Sequence, residues 1–175
     1  MKWPRTLAAL ALATVLSVAI GCSSSDTPLG PSAPQGQQPS AALVSALSNL
    51  HLLSCSAQPY AVASKVIGPE GGNLSIGSHR LEIPQGALTS RVTIKGEQVS
   101  GTVNSVRLSP EGLRFAKPVK LVLSYRNCSL LATPKRIAYT DELLRILGLP
   151  LSRDYPDYKY VSGWISHFSR YAVAW

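Results

Sequence analysis

Two observations predict an all-β fold, an antiparallel β-sandwich, for the greater part of this chain, and a third predicts a covalent staple within it. From Tyr60 onward, apolar and polar residues alternate in short runs, the period of a half-buried strand. A repeated turn formula separates many of those runs: Pro69-Glu70-Gly71, Pro84-Gln85-Gly86 and Pro110-Glu111-Gly112. Finally, Cys55 and Cys128 form an even pair once the remaining cysteine, Cys22, is given a separate role, and an even pair in an oxidising compartment predicts a disulfide. Many short strands at close spacing mark a sandwich or barrel, and about 115 residues suffice for one domain with a real core.

The N-terminal elements are of other kinds. Residues 1–21 place Lys2 and Arg5 ahead of an apolar run from Leu7 to Ile20, shorter than the roughly 20 residues that cross a bilayer. This is the pattern of a secretory signal rather than of a membrane span. The run ends at Ala19-Ile20-Gly21-Cys22, which resembles a bacterial lipobox, although Ala19 stands where a leucine is commoner. The resemblance implies that the Cys22 sulfur takes a diacylglycerol and that Cys22 becomes the new N-terminus. Buried acyl methylenes contribute about 0.8 kcal/mol each, so several chains anchor a protein durably. Ser23 resembles the sorting pattern for the outer membrane, facing the periplasm or the surface. Loss of Lys2 and Arg5 lowers the basic count from 17 to 15 against 9 acidic residues, so the mature chain carries +6. The cations are scattered, with no basic run interleaved with aromatics, which argues against nucleic acid as a partner.

Cys22 opens a linker, residues 22–40, composed almost wholly of Ser, Pro, Gly, Gln and Ala. Such a segment cannot bury enough apolar surface to offset the entropy of ordering, and as a flexible coil it spans about 25 Å. Residues 41–58 are expected to hold one short helix: Leu43, Leu47 and Leu50 recur at helical spacing after a cap at Ser40. The sandwich domain occupies 59–175. Its expected strands are 61–67, 73–76, 80–83, 91–99, 104–108, 119–125, 135–140, 159–165 and 169–175. In the run 119–125, Val119, Leu121, Leu123 and Tyr125 share one face. Residues 141–147 fit a helical turn or a strand equally, and SRDYPDY, residues 152–158, reads as an exposed loop.

The stretches IGPEGGNLSI, HRLEIPQGAL, LSPEGLRFAKPVKLVLSY and HFSRYAVAW occur in an order that resembles the ZU domain. That β-sandwich module is shared by zonula occludens proteins, netrin receptors of the Unc type and ankyrins, and related copies occur in bacterial lipoproteins. The likeness runs from Ser64 to Trp175 and is poor over 129–163. It implies a sandwich that binds partner proteins, while the animal modules' own partners do not carry over to a bacterial envelope.

Some members of that wider group cut their own backbone within a His-Phe-Ser sequence, so His167, Phe168 and Ser169 become candidate self-cleavage residues. His167 would take the Ser169 hydroxyl proton, and the oxygen would attack the Phe168 carbonyl, turning amide into ester. The favoured reading makes the tripeptide structural, with Phe168 filling the core and Tyr171, Val173 and Trp175 facing inward. No paired carboxylates, nucleophile elbow or ligand spacing points to another chemistry. Asp154 and Asp157 are expected to face solvent. His51, His79 and His167 are too scattered to suggest a metal, and no cofactor is expected. The function expected is therefore a lipid-anchored, non-enzymatic envelope module whose partner is an envelope protein or a glycan. Tyr155, Tyr158 and Tyr160 form either an aromatic patch for it or a cover for a sheet edge.

Overall fold

The computed structural model of the protein describes residues 50–129 and 132–175. Within them lie β1 (Ser54–Gln58), β2 (Ala61–Ile67), β3 (Gly72–Ile76), β4 (His79–Ile83), β5 (Val92–Gln98), β6 (Gly101–Val103) and β7 (Ser105–Ser109). They are followed by β8 (Arg114–Ser124), β9 (Arg136–Thr140), β10 (Ile146–Gly148), β11 (Ser152–Tyr155), a 3-10 turn at Pro156–Tyr158, β12 (Tyr160–His167) and β13 (Arg170–Ala174). These strands form a six-stranded sheet, β10-β9-β13-β7-β5-β2, a five-stranded sheet, β11-β12-β8-β4-β3, and a ribbon, β1-β6. The pairings are antiparallel, and the larger sheets pack together as the expected sandwich.

Alternation sets the register. In β8, Val119, Leu121 and Leu123 are fully buried while Lys120 and Val122 between them are not. Leu121 lies opposite Leu81 of β4 on one side and Gly163 of β12 on the other, so one layer of side chains crosses the sheet. A one-residue slip would turn that whole layer outward, and each such side chain is stabilised by about 1.5–3 kcal/mol through burial. The sheets approach closely where β5 faces β3: a Cβ on Gly96 would stand 2.2 Å from Ile76 Cδ1.

The three Pro-x-Gly triplets do more than reverse the chain. Each carries it from one sheet to the other, after β2, β4 and β7 in turn. The proline occupies the second turn position only at Gly68–Gly71, where the Gly71 N–H donates to the Gly68 carbonyl at 3.0 Å. At Pro84–Ala87 and Pro110–Leu113 it is first, and Gly86 and Gly112, both with φ near 75°, take the third position of a type II pattern. A fourth crossing, from β12 to β13, runs through Phe168 and Ser169 at the same end of the sandwich.

Several expectations are corrected. The described end of the segment assigned to a helix, residues 50–58, is extended. His51 and Leu53 hydrogen-bond the backbone of Trp175 and Val173, Leu52 bridges Ala174, and β1 follows. Pairing with the last strand outweighs a leucine spacing that is helical in isolation. Leu43, Leu47, Cys22, the signal and the tether lie outside the described residues. Residues 152–158 are the edge strand β11 and a turn rather than a loop. Residues 141–147 resolve into a turn, in which Asp141 Oδ1 accepts from the N–H groups of Leu143 and Arg145, followed by β10. Trp175 is half-exposed and packs on the His51 ring, 5.9 Å between centroids, while Tyr171 and Val173 are buried as expected.

Cys55 of β1 and Cys128, in the turn after β8, form a disulfide with their Cα atoms 4.7 Å apart. The bond closes a separation of 73 residues and fastens the β1-β6 ribbon to the end of the five-stranded sheet. Chain entropy assigns a loop of this size about 4 kcal/mol. Guanidinium unfolding of the Cys55→Ala/Cys128→Ala protein is expected to show a loss approaching that figure, and an unchanged midpoint would refute the bond's structural weight.

Candidate functional site

The closing tripeptide is held on every side. The Phe168 N–H donates to the Leu113 carbonyl at 2.8 Å, and the Phe168 carbonyl accepts from the Gly112 N–H at 3.0 Å, so the fourth crossing is interlocked with the third. The Ser169 carbonyl accepts from the Leu108 N–H at 3.0 Å. The Phe168 ring is fully buried, edge-on to Phe115 with centroids 4.9 Å apart. His167 stands perpendicular to the Tyr139 ring at 5.0 Å, and the Tyr171 hydroxyl donates to the His167 carbonyl at 2.8 Å. Burial, with Arg114 nearby, holds the His167 pKa below its ordinary value. Its ring contacts Ser166 Oγ at 3.5 Å, and no hydrogen bond joins it to Ser169 among the described residues. The described non-glycine residues with positive φ are Leu144 and Lys159, so the tripeptide carries no left-handed backbone strain.

The opposite end of the sandwich is polar. Beside the disulfide, Asn104 Nδ2 donates to the Ser124 carbonyl at 2.9 Å and to Asn127 Oδ1 at 2.7 Å, and Asn127 Nδ2 donates to the Ser56 carbonyl at 2.6 Å. Gln98 Oε1 accepts from the backbone N–H of Ser78 at 2.9 Å while its Nε2 donates to the Pro59 carbonyl at 2.8 Å. His79, 2% exposed, accepts the Ser124 N–H on Nδ1 at 3.1 Å, which leaves its proton on Nε2. Burial lowers its pKa to about 4, so the ring is neutral in the fold.

A cleft of about 360 Å³ opens beside Gln98 and Asn127 and one of about 310 Å³ beside Ser169, but exposed aromatics and cations gather on the outer face of the five-stranded sheet. Register arranges it in rows. Trp164 lies opposite Lys120, Lys120 opposite Glu82 and Glu82 opposite Asn73, while the next row runs from Arg153 through Ser162, Val122 and Arg80 to Ser75. Glu82 is shared by Lys120 Nζ at 3.2 Å and Arg80 Nη1 at 3.8 Å. At the β11 edge the Tyr155 and Tyr160 rings stack 4.6 Å apart at 24°, Tyr158 approaches Tyr160 at 6.2 Å, and the Arg153 guanidinium sits 5.4 Å over Tyr155. Trp164 and Tyr158 are 51% and 66% exposed. Two clefts open on this face, of about 370 and 630 Å³, and Glu82 and Lys120 belong to both.

The tyrosines named from the sequence therefore do come together, whereas Trp164, Arg80, Glu82, Lys120 and Arg153 were missed. The alternation of β12 and β8 already marked Trp164 and Lys120 as outward-facing, and an outward tryptophan was the available signal. Asp154 points inward, contrary to expectation, accepting the Tyr125 hydroxyl at 2.6 Å and the Lys135 N–H at 2.9 Å. Among the described residues, no three His, Cys, Asp or Glu side chains gather as metal ligands. No protein-family model matches the chain, and no curated protein does.

His79 gives the fold a pH dependence. Its folded pKa lies below its unfolded value, so its contribution is present above about pH 6.5 and is lost as pH falls toward about 4. Between about pH 7 and about pH 5 the expected loss is about 2 kcal/mol. His167, also lowered, adds in the same direction. Urea unfolding across that range is expected to show a markedly flatter pH slope in His79→Asn than in the wild type, and equal slopes would refute the assignment.

Proposed function

We propose that the mature chain is a lipid-anchored protein of the bacterial cell envelope whose sandwich acts as a non-enzymatic interaction or structural module. The observation that carries the reading is the outer face of the five-stranded sheet. It exposes Trp164 of β12 and Tyr158 of the adjoining 3-10 turn beside a shared ion pair. Aromatics and Arg are the residue types that interfaces concentrate. The resemblance to the partner-binding ZU module agrees with this role.

An autoproteolytic role at Phe168-Ser169 is the competing reading. It needs the His167 ring on the Ser169 hydroxyl and strain in the Phe168-Ser169 peptide, while the Gly112 N–H on the Phe168 carbonyl is a donor such an attack could use. The His167 ring lies on Ser166 Oγ rather than on Ser169, and no residue of the tripeptide has a positive φ, which favours a corner of the scaffold instead.

One mass spectrum of the denatured mature protein addresses anchor and corner together. The expected mass starts at a diacylated Cys22 and runs through Trp175, and Cys22→Ala should lose the lipid and move to the soluble fraction. A species lacking residues 169–175, restored to full length by Ser169→Ala, would replace the structural reading with self-cleavage.

The interaction role is tested by retention of the detergent-solubilised protein on isolated envelopes. Trp164→Ala is expected to lower retention severalfold with an unchanged melting temperature, because the ring is half-exposed. Equal retention would reject this face as the binding surface.

A further inference from the structure

Resting on the reading of this face as a binding surface, we propose that its ligand is an acidic polysaccharide, a carboxylate-bearing glycan chain laid across Trp164 and the stacked Tyr155 and Tyr160. A sugar ring is amphipathic in the same way as this face. Its C–H side packs on an aromatic ring, and its edge presents hydroxyls to hydrogen-bonding side chains. Here aromatics and polar groups alternate by register: Trp164 adjoins Lys120 and Glu82, and Tyr155 and Tyr160 adjoin Arg153 and Ser162. A protein partner is better served by a contiguous apolar centre depleted of charge, which this face lacks.

Length and charge narrow the ligand further. Tyr160 and Trp164 are four residues apart on β12, a separation of about 13 Å at ~3.3 Å per residue, so both platforms are met by a chain rather than by one sugar. The two clefts are lined by the cations Arg80, Lys120, Arg126 and Arg153 against the single carboxylate of Glu82, an excess of three positive charges. Glu82 is already engaged with Arg80 and Lys120, while neither Arg126 nor Arg153 makes an ion pair among the described residues. Arg153 is oriented by the Tyr155 ring beneath it, where a guanidinium can take a sugar carboxylate in two parallel hydrogen bonds.

Calorimetric titration of the full chain in detergent with alginate oligomers, a polyuronate, tests this. Dextran serves as the neutral glycan and dextran sulfate as the generic polyanion. Alginate is expected to bind at least tenfold tighter than dextran. Trp164→Ala and the double variant Lys120→Gln/Arg153→Gln should each weaken it at least tenfold at unchanged melting temperature, and the double variant should also flatten the salt dependence. Absence of alginate binding, or binding indifferent to Trp164→Ala, overturns the proposal. So does equal binding of dextran sulfate that ignores Trp164, which is plain polyanion attraction. If envelope retention depends on Trp164 yet excess alginate neither binds nor competes, the glycan proposal falls while the interaction role stands.

Discussion

The structure depends on satisfying backbone polar groups where the chain passes between sheets. Four crossings gather at one end, each removing peptide groups from a strand ladder, and a buried N–H or carbonyl without a partner costs about as much as a lost hydrogen bond. The crossings satisfy one another. The Gly86 N–H donates to the Pro69 carbonyl at 2.8 Å, joining the first two, and the Ala116 N–H donates to the Ala87 carbonyl at 3.0 Å, joining the second to β8. Phe168 then locks the fourth to the third through both of its backbone groups. Its ring fills the space beneath, so the same residue closes the backbone account and the core.

The far end meets the same requirement with side chains. There the strands end raggedly, and carboxamides stand in for a ladder: Gln98 spans Ser78 and Pro59, and Asn104 and Asn127 reach Ser124 and Ser56. A buried polar network holds a specific arrangement only while its members stay in place. The Cys55–Cys128 bond lies beside Asn104 and Asn127 and ties the ribbon carrying Ser56 to the turn carrying Asn127, which keeps that network from opening. His79 shares this environment, and its neutrality follows from the same dryness that gives the amide bonds their value.

How much of this was legible follows the length scale of each signal. The long run Val119 to Tyr125 declared its inward face because period-2 burial is written into consecutive residues. The Pro-x-Gly triplets declared turns, but that they change sheets is a property of which strands pair, and pairing partners stand far apart in sequence. Residues 50–58 misled because Leu43, Leu47 and Leu50 satisfy a helical period, whereas what decides their described end is backbone pairing with Val173 and Trp175, more than a hundred residues away. β11 was hidden for a related reason. An edge strand with Arg153 and Tyr155 outward and Asp154 inward, hydrogen-bonded to Tyr125, has no apolar alternation to read. The candidate face was legible one residue at a time, as an outward Trp164 or a Tyr pair. Its rows exist only once β11, β12, β8, β4 and β3 are placed side by side.

The two outer faces differ in what they leave over. On the six-stranded sheet, charged groups are largely consumed by one another. Glu97 takes Lys95 at 2.9 Å and the Tyr60 hydroxyl at 2.7 Å, bonds that hold its carboxyl below the usual carboxylate range. Glu142 takes the Arg107 guanidinium, and its backbone carbonyl accepts from Arg170 at 2.8 Å. These contacts knit β2, β5, β7 and β13 to the 141–145 turn. Exposed pairs of this kind add little stability individually, so their effect is to offset much of the positive charge of the face. The five-stranded sheet has one carboxylate, Glu82, for two neighbouring cations, and its remaining arginines lie against tyrosine or open solvent. Because residues on a face are neighbours across strands rather than along them, that imbalance comes from several separate stretches of sequence converging in register. A face that only covered the core could have its charge offset as the other one has. A surplus of cation, with exposed Trp164 and Tyr158 beside it, is what distinguishes the outer face of this sheet.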